Sequence, residues 1–240
     1  SFVYRIQGTN TFVSYEQRKA HPTQRLHVDI SLVSNDKLNT EAFKAWRPEF
    51  ADATFLLNED GDYLCGHEVE KMSKSKYNVQ TPDELVEKYG ADTLRCYEMF
   101  LGPLTQHKPW DTQGISGVHN FLRKLTRLYA QPAEGEATEE QMRILHRTIK
   151  KVTDDIDRHA FNTVVSALMI AVNELTETQP VSASVLQPLA ILLSPLAPHL
   201  AESLWNETGG SGLVLDAPWP EADEAWLVED EVEMPVSFNG

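Results

Sequence analysis

The chain has 240 residues, 41% hydrophobic and 24% charged, a composition that suits one large soluble domain or two small ones. No apolar run reaches the ~18 residues that a membrane span needs, and no leader-like pattern opens the sequence. The formal net charge of −15 argues against a free-standing nucleic-acid binder.

The charge is uneven, however. All 21 Lys and Arg residues lie at or before Arg158, so residues 1–158, with 24 acidic groups, sit near balance at −3. Residues 159–240 carry 12 acidic groups and no Lys or Arg. A nearly balanced half can still present a local basic face. Ser1, not Met, opens the chain, which is expected of a piece cut from a longer protein. Cys65 and Cys96 have no ligand-spaced partners, so no metal site is expected, and the pair reads as two reduced thiols of a cytosolic protein.

Residues 1–70 read as mixed and β-rich. Phe2, Tyr4 and Ile6 alternate with other residues, and so do Leu26, Val28, Ile30 and Leu32. Thr54–Leu57 and Tyr63–Cys65 flank Asn58-Glu59-Asp60-Gly61-Asp62, the composition of a hairpin turn. Asn39 to Trp46 predicts a helix that Pro48 ends. From Thr81 the period changes. Thr81, Pro82, Asp83 and Glu84 make a helix start, and Gly90 closes that helix. A second short helix runs from Asp92 to about Leu101.

Three longer helices follow. Val118, Phe121, Leu122, Leu125, Leu128 and Tyr129 share one face. Glu139 to about Asp154 is the second. Phe161, Val164, Val165, Leu168, Met169, Val172 and Leu175 form the regular stripe of the third. Val185 to Trp205 predicts a buried helix pair broken near Pro195 and Pro198. Trp226 to Phe238 is acidic and is expected to end in a strand. The fold class expected is α+β: a small β-rich part, an all-α bundle, and a short C-terminal strand.

The sharpest chemical feature is Lys71-Met72-Ser73-Lys74-Ser75, between the β-rich part and a capped helix. Two lysines three apart, with hydroxyls between, can wrap a polyphosphate. In-line attack at an α-phosphate builds charge on departing pyrophosphate, and mobile ammonium groups that close on it favour the transition state. A given pentapeptide arises by chance in a chain this long at odds on the order of 1 in 10,000.

The pentapeptide resembles the K-M-S-K-S signature of class I aminoacyl-tRNA synthetases. The resemblance covers roughly residues 66–206. Thr81-Pro82-Asp83-Glu84-Leu85-Val86, then Tyr89-Gly90-Ala91-Asp92-Thr93-Leu94-Arg95, looks like that family's join between catalytic and helical domains. Phe121-Leu122-Arg123-Lys124-Leu125 and Pro195-Leu196-Ala197-Pro198-His199 resemble its anticodon-binding bundle. Within the class, the run Trp110 to Val118 and the extra segment before the loop are similar to the bacterial leucyl branch. The isoleucyl, valyl and methionyl branches share the loop and the bundle.

The resemblance implies a ligase acting on ATP (with Mg), leucine and tRNA(Leu), cytoplasmic and monomeric, with no membrane partner. It implies ATP contact by Lys71, Met72, Ser73, Lys74 and Ser75, with Lys71 and Lys74 catalytic and Lys74 the nearer ligand. For tRNA the candidates are Arg123, Lys124, Arg127, Arg143, Arg147, Lys150 and Lys151, as phosphate contacts that position an RNA without reading it. A packing role is expected of Trp110, and a satisfied side chain of His199. The implied domains are 1–70, the end of the catalytic domain with an insertion; 71–110, the loop and connecting helices; 111–208, the bundle; and 209–240, the start of a C-terminal region. Neither H-x-G-H nor an editing domain is present in the sequence, so these 240 residues alone are expected not to activate leucine. A non-catalytic tRNA-binding module derived from such an enzyme is the competing expectation.

Overall fold

The computed structural model describes residues 1–106, 108, 110 and 112–227. The fold is α+β, and the chain divides into two units, Ser1–Thr81 and Pro82–Gly240.

The first unit is built on a four-stranded sheet. Its strands are β1 (Phe2–Ile6), β2 (Thr11–Val13), β3 (Thr23–His27) and, after a small β4–β5 hairpin (Val33–Ser34, Lys37–Leu38), β6 (Thr54–Leu56), ordered β3-β1-β2-β6. One face packs Val3, Phe12, Phe43 and Phe50 into a core. Phe43 of α1 (Thr40–Trp46) stacks on Phe50 with centroids 4.6 Å apart, and both rings meet Phe12 edge-on. Asn39 starts α1 by accepting from the Ala42 amide.

Two expectations fail here. The alternation from Leu26 to Leu32 is not one strand, because β3 stops at His27, opposite Phe2, the first residue of β1. Asp29 then accepts from both the amide and the hydroxyl of Ser31, at 3.0 and 2.7 Å, and Ile30–Leu32 turns into a 3₁₀ helix. Nor do Thr54–Leu57 and Tyr63–Cys65 form a hairpin. The turn itself is present: the Asn58 carboxamide accepts from the Asp60 and Asp62 amides. But β6 pairs in parallel with β2, while Tyr63 turns into the core and its hydroxyl accepts from the Tyr4 amide at 3.0 Å. Parallel pairing requires a long crossover, here residues 14–53, which alternation alone does not signal.

The second unit is helical: α2 (Pro82–Tyr89), α3 (Ala91–Phe100), α4 (Thr112–Tyr129), α5 (Glu139–Asp157), α6 (Phe161–Glu177), α7 (Ala183–Leu193) and α8 (Pro198–Glu207). Gly90 joins α2 to α3 at φ +87°, a backbone state that disfavours a side chain. Thr138 caps α5, with Glu139 and Glu140 on the positive end of its dipole. The α6 stripe is fully buried at Val164, Val165, Leu168 and Val172, each side chain stabilising the fold by ~1.5–3 kcal/mol through burial. Tyr129, also buried, ties α4 to α7 by donating to the Leu186 carbonyl at 2.8 Å, and burial raises its phenol above the ordinary value.

Chain breaks at Pro195 and Pro198 leave carbonyls without helical partners. Arg95 of α3 satisfies two of them, donating to Leu196 O at 3.2 Å and Pro195 O at 3.1 Å. Trp110 packs edge-on against Tyr97 with centroids 5.0 Å apart.

After α8 the chain returns along α5. Trp219 donates to Thr153 Oγ1, Lys150 pairs with Glu224, and Trp226 stacks on His146. Glu224–Trp226 is a 3₁₀ turn. The strand expected at the end of Trp226–Phe238 falls on residues outside those described. Cys65 and Cys96 are free and buried, and burial pushes both thiols up to about 12.

Candidate functional site

The pentapeptide lies in the first unit as an exposed loop. Lys71 and Met72 are irregular, Ser73 is extended, and Lys74–Lys76 form one 3₁₀ turn. The loop holds its shape locally. The Asn78 side chain spans it, accepting from the Ser73 amide at 2.8 Å and donating to the Lys71 carbonyl at 3.4 Å. The Ser73 and Ser75 hydroxyls are 2.9 Å apart. Met72 is exposed.

Both ends of the loop are fastened, the near end to the sheet and the far end to the 3₁₀ turn after β3 and to the end of α1. At the far end Tyr77 takes the left-handed conformation, φ +52°, and its carbonyl accepts from the Ile30 amide at 2.9 Å. Its ring meets Trp46 edge-on at 5.0 Å, and the Arg47 guanidinium lies over both rings. At the near end Glu70 accepts from Lys76 Nζ through one oxygen and His27 Nε2 through the other, each at 2.8 Å. The Lys76 hydrogen bond, then that of His27, holds the Glu70 carboxyl down at about 2.

The three lysines are thus not equivalent. Lys76 is paired with Glu70, whereas neither Lys71 nor Lys74 has an ion pair among the described residues, and both are exposed. Two ammonium groups without an ion pair among the described residues, on a short, pinned loop, suit an anion. Glu70, His27 and Tyr77 were missed in the sequence. The six-residue spacing from Glu70 to Lys76 was a faint signal for a loop closed by an ion pair. His27, far upstream, gave none.

The second unit carries the seven other candidates, on two helices. On α5, Arg147 pairs with Glu174, Lys150 with Glu224 at 2.8 Å and Lys151 with Asp155 at 2.9 Å, while Arg143 lies 3.9 Å from Glu139. On α4, Arg123, Lys124 and Arg127 line a groove of about 480 Å³ with Asn120, Thr176 and Gln179. Lys124 donates to the Asn173 side chain there at 2.8 Å, and Arg123 and Arg127 have no ion pair among the described residues. A basic stripe with room beside it suits a phosphate backbone. His199, 78% exposed, pairs with Asp92 at 2.8 Å, in keeping with a satisfied side chain.

A lysine loop ahead of a helical bundle is the layout of a class I tRNA synthetase. Residues 63–111 match the family described as tRNA synthetases class I (I, L, M and V), and residues 140–239 match the anticodon-binding domain of tRNA ligase. Along these two stretches the chain is similar to class I tRNA synthetases.

Within the class its kin are leucine–tRNA ligases. All of the chain aligns with those of Phocaeicola vulgatus at 56% identity, Porphyromonas gingivalis at 54% and Christiangramia forsetii at 56%. It spans about a quarter, 26%, of the length of these relatives. A crystal structure of the agnB2 LeuRS of Agrobacterium radiobacter K84, in a ternary complex with tRNA and LeuAMS, is similar over 68% of this chain and 24% of that one, with TM-score 0.59 and 31% identity.

Proposed function

We propose that this chain supplies two parts of a leucine–tRNA ligase: the loop that closes on the phosphates of ATP during leucine activation, and the helical scaffold that holds tRNA(Leu). The observation that carries the reading is the unpaired, exposed pair Lys71 and Lys74 on a loop fastened at both ends. In this reading Lys74 meets the departing pyrophosphate and Lys71 assists, while Ser73 and Ser75 shape the backbone around them. Met72 rests against apolar surface when the loop closes. Among the described residues no group of three or more His, Cys, Asp or Glu is placed to hold an ion. Magnesium enters this reading only with ATP, as the counter-ion of its phosphates.

For the helical unit, the α4 stripe of Arg123, Lys124 and Arg127 is the first contact with the tRNA backbone. Arg143, Arg147, Lys150 and Lys151 join only by exchanging carboxylate partners for phosphate. The bundle of residues 111–208 then positions the RNA for chemistry in a domain to which residues 1–70 and the loop contribute. No helix among the described residues is long and apolar enough to cross a membrane.

The test is leucine-dependent ATP–pyrophosphate exchange by the full-length protein that carries this chain. Lys74→Ala lowers the rate by on the order of 100-fold with folding intact, the size of one lost transition-state contact. An unchanged rate removes Lys74 from the mechanism and favours the non-catalytic module. The isolated 240 residues exchange at background.

A further inference from the structure

We infer that Glu70 is a positioning residue for the phosphate loop: by sharing one carboxylate between His27 and Lys76 it pins the loop to the sheet and withdraws Lys76, so that Lys71 and Lys74 alone face the nucleotide. The inference rests on the reading of the loop given above.

The geometry is a ladder of side chains. In the β1–β3 register Phe2 faces His27 and Tyr4 faces Arg25, so Arg25 and His27 stand on one face of the sheet, two residues apart. The segment that enters the loop runs beside them. Phe2 and Gly66 exchange backbone hydrogen bonds at 2.7 and 3.0 Å, and the next alternate residues meet the strand in step: Glu68 with Arg25 at 2.7 Å, and Glu70 with His27 at 2.8 Å. Arg25 is further held over the Phe2 ring at 4.1 Å, and that ring lies 4.8 Å from His27. The approach to the loop is therefore stapled at two points.

Glu70 differs from Glu68 in using its second oxygen. It reaches across the loop to Lys76, the last residue of the 3₁₀ turn that Lys74 opens. A carboxylate with one strong donor on each oxygen is held in place from both sides. Residues 70 and 76 become the two posts between which Lys71 and Lys74 are strung. Without that link Lys76 would be a third free ammonium beside the site, and the loop's near end would lose its anchor. Orienting a flexible cation before substrate arrives lowers the entropy lost on binding.

The test uses the full-length ligase that carries this chain, with ATP–pyrophosphate exchange as the readout and the variants Glu70→Gln, Lys76→Met and their double. Each single change raises KM for ATP by about tenfold, the size of one charge-assisted hydrogen bond. KM for leucine is unmoved. The double variant is within about twofold of either single one, because one link is broken in all three.

Unchanged KM for ATP in both single variants overturns the inference. So do additive losses, or KM losses shared equally by leucine and ATP, which a merely structural carboxylate would give. Lys74→Ala in the same assay separates this result from the parent reading. A crippled Lys74→Ala beside a normal Glu70→Gln sinks only the role of Glu70; a normal Lys74→Ala sinks the nucleotide loop itself.

Discussion

Asp92 and His199, 107 residues apart, are joined at 2.8 Å through one oxygen of the aspartate, while its other oxygen accepts from the Leu200 amide at 2.6 Å. Leu200 lies in the first turn of α8, which has no side-chain cap of its own. Asp92 therefore caps a helix from another element, supplying negative charge where the dipole is positive. Asp92→Ala is expected to destabilise the helical unit by about 1–3 kcal/mol in urea unfolding, with Asp92→Asn intermediate. Equal midpoints for all three proteins would show that the contact adds nothing.

Glu70 makes acid stability of the first unit a measurable signature. Its folded carboxyl titrates at about 2, below the ordinary 4.5. The unfolded chain thus takes up the proton first as pH falls. The contribution of Glu70 is complete above roughly pH 4.5 and disappears on descent toward about 2. Melting curves of the parent and Glu70→Gln should differ at pH 6 and converge near pH 2. A difference that grows on acidification contradicts the assigned sign.

His146 gives the opposite kind of group at a similar edge of stability. Its Nδ1 accepts from the Asp223 amide at 3.0 Å, which requires an unprotonated ring nitrogen, and burial lowers its pKa against the weaker pull of Asp223. Here too the unfolded state binds the proton more readily, so the contribution is whole above about pH 6.5 and fades below it. Hydrogen exchange at the Asp223 amide should quicken as pH falls from 7 to 5, beyond the intrinsic trend. His146→Ala should abolish that extra dependence.

Gly66 has no room for a side chain. A Cβ there would collide with the Tyr4 hydroxyl and come within 2.9 Å of the Tyr15 ring. Tyr4 cannot simply swing away, since its ring lies 5.9 Å from that of Tyr15, which carries Arg18 on its face at 3.6 Å. Gly66→Ala should destabilise the first unit by about 1–3 kcal/mol. Adding Tyr4→Phe should restore part of the loss, and a fully additive pair would rule out the clash as its cause.

For tRNA, the two sets of cations should separate by salt dependence. Replacing Arg123 or Arg127 by Ala should weaken binding by the full-length protein and lower the salt slope by about 1 each. Arg147→Ala and Lys150→Ala, whose charges are already matched by Glu174 and Glu224, should leave the slope nearly unchanged. The reverse ranking would move the interface to α5.

Periodicity and breakers made the helical unit legible. The α6 stripe, the stop at Gly90 and the breaks at Pro195 and Pro198 are local signals, and each lies where the pattern put it. The β-rich unit was less so, because its pairings are non-local: β6 joins β2 across about forty residues, and β3 ends where β1 runs out of partners. The loop was visible as five letters, but its supports were not. No window of sequence links His27 to Glu70, or tells which of three lysines is neutralised. Similarly, the sequence did not show that Arg147 and Lys150 of α5 have acidic partners on α6 and in the returning segment.

The hold of Arg95 on the carbonyls of Pro195 and Leu196 bears on the order of events at the ribosome. At 5–20 residues per second, α3 is made roughly 5–20 s before the corner it must clasp emerges. Throughout that wait its guanidinium has only water to bind, and the neighbouring Asp92 has no helix to cap. The unit can lock only once α8 has appeared, so a pause in translation anywhere between these points leaves an open bundle with its apolar stripes unsheltered.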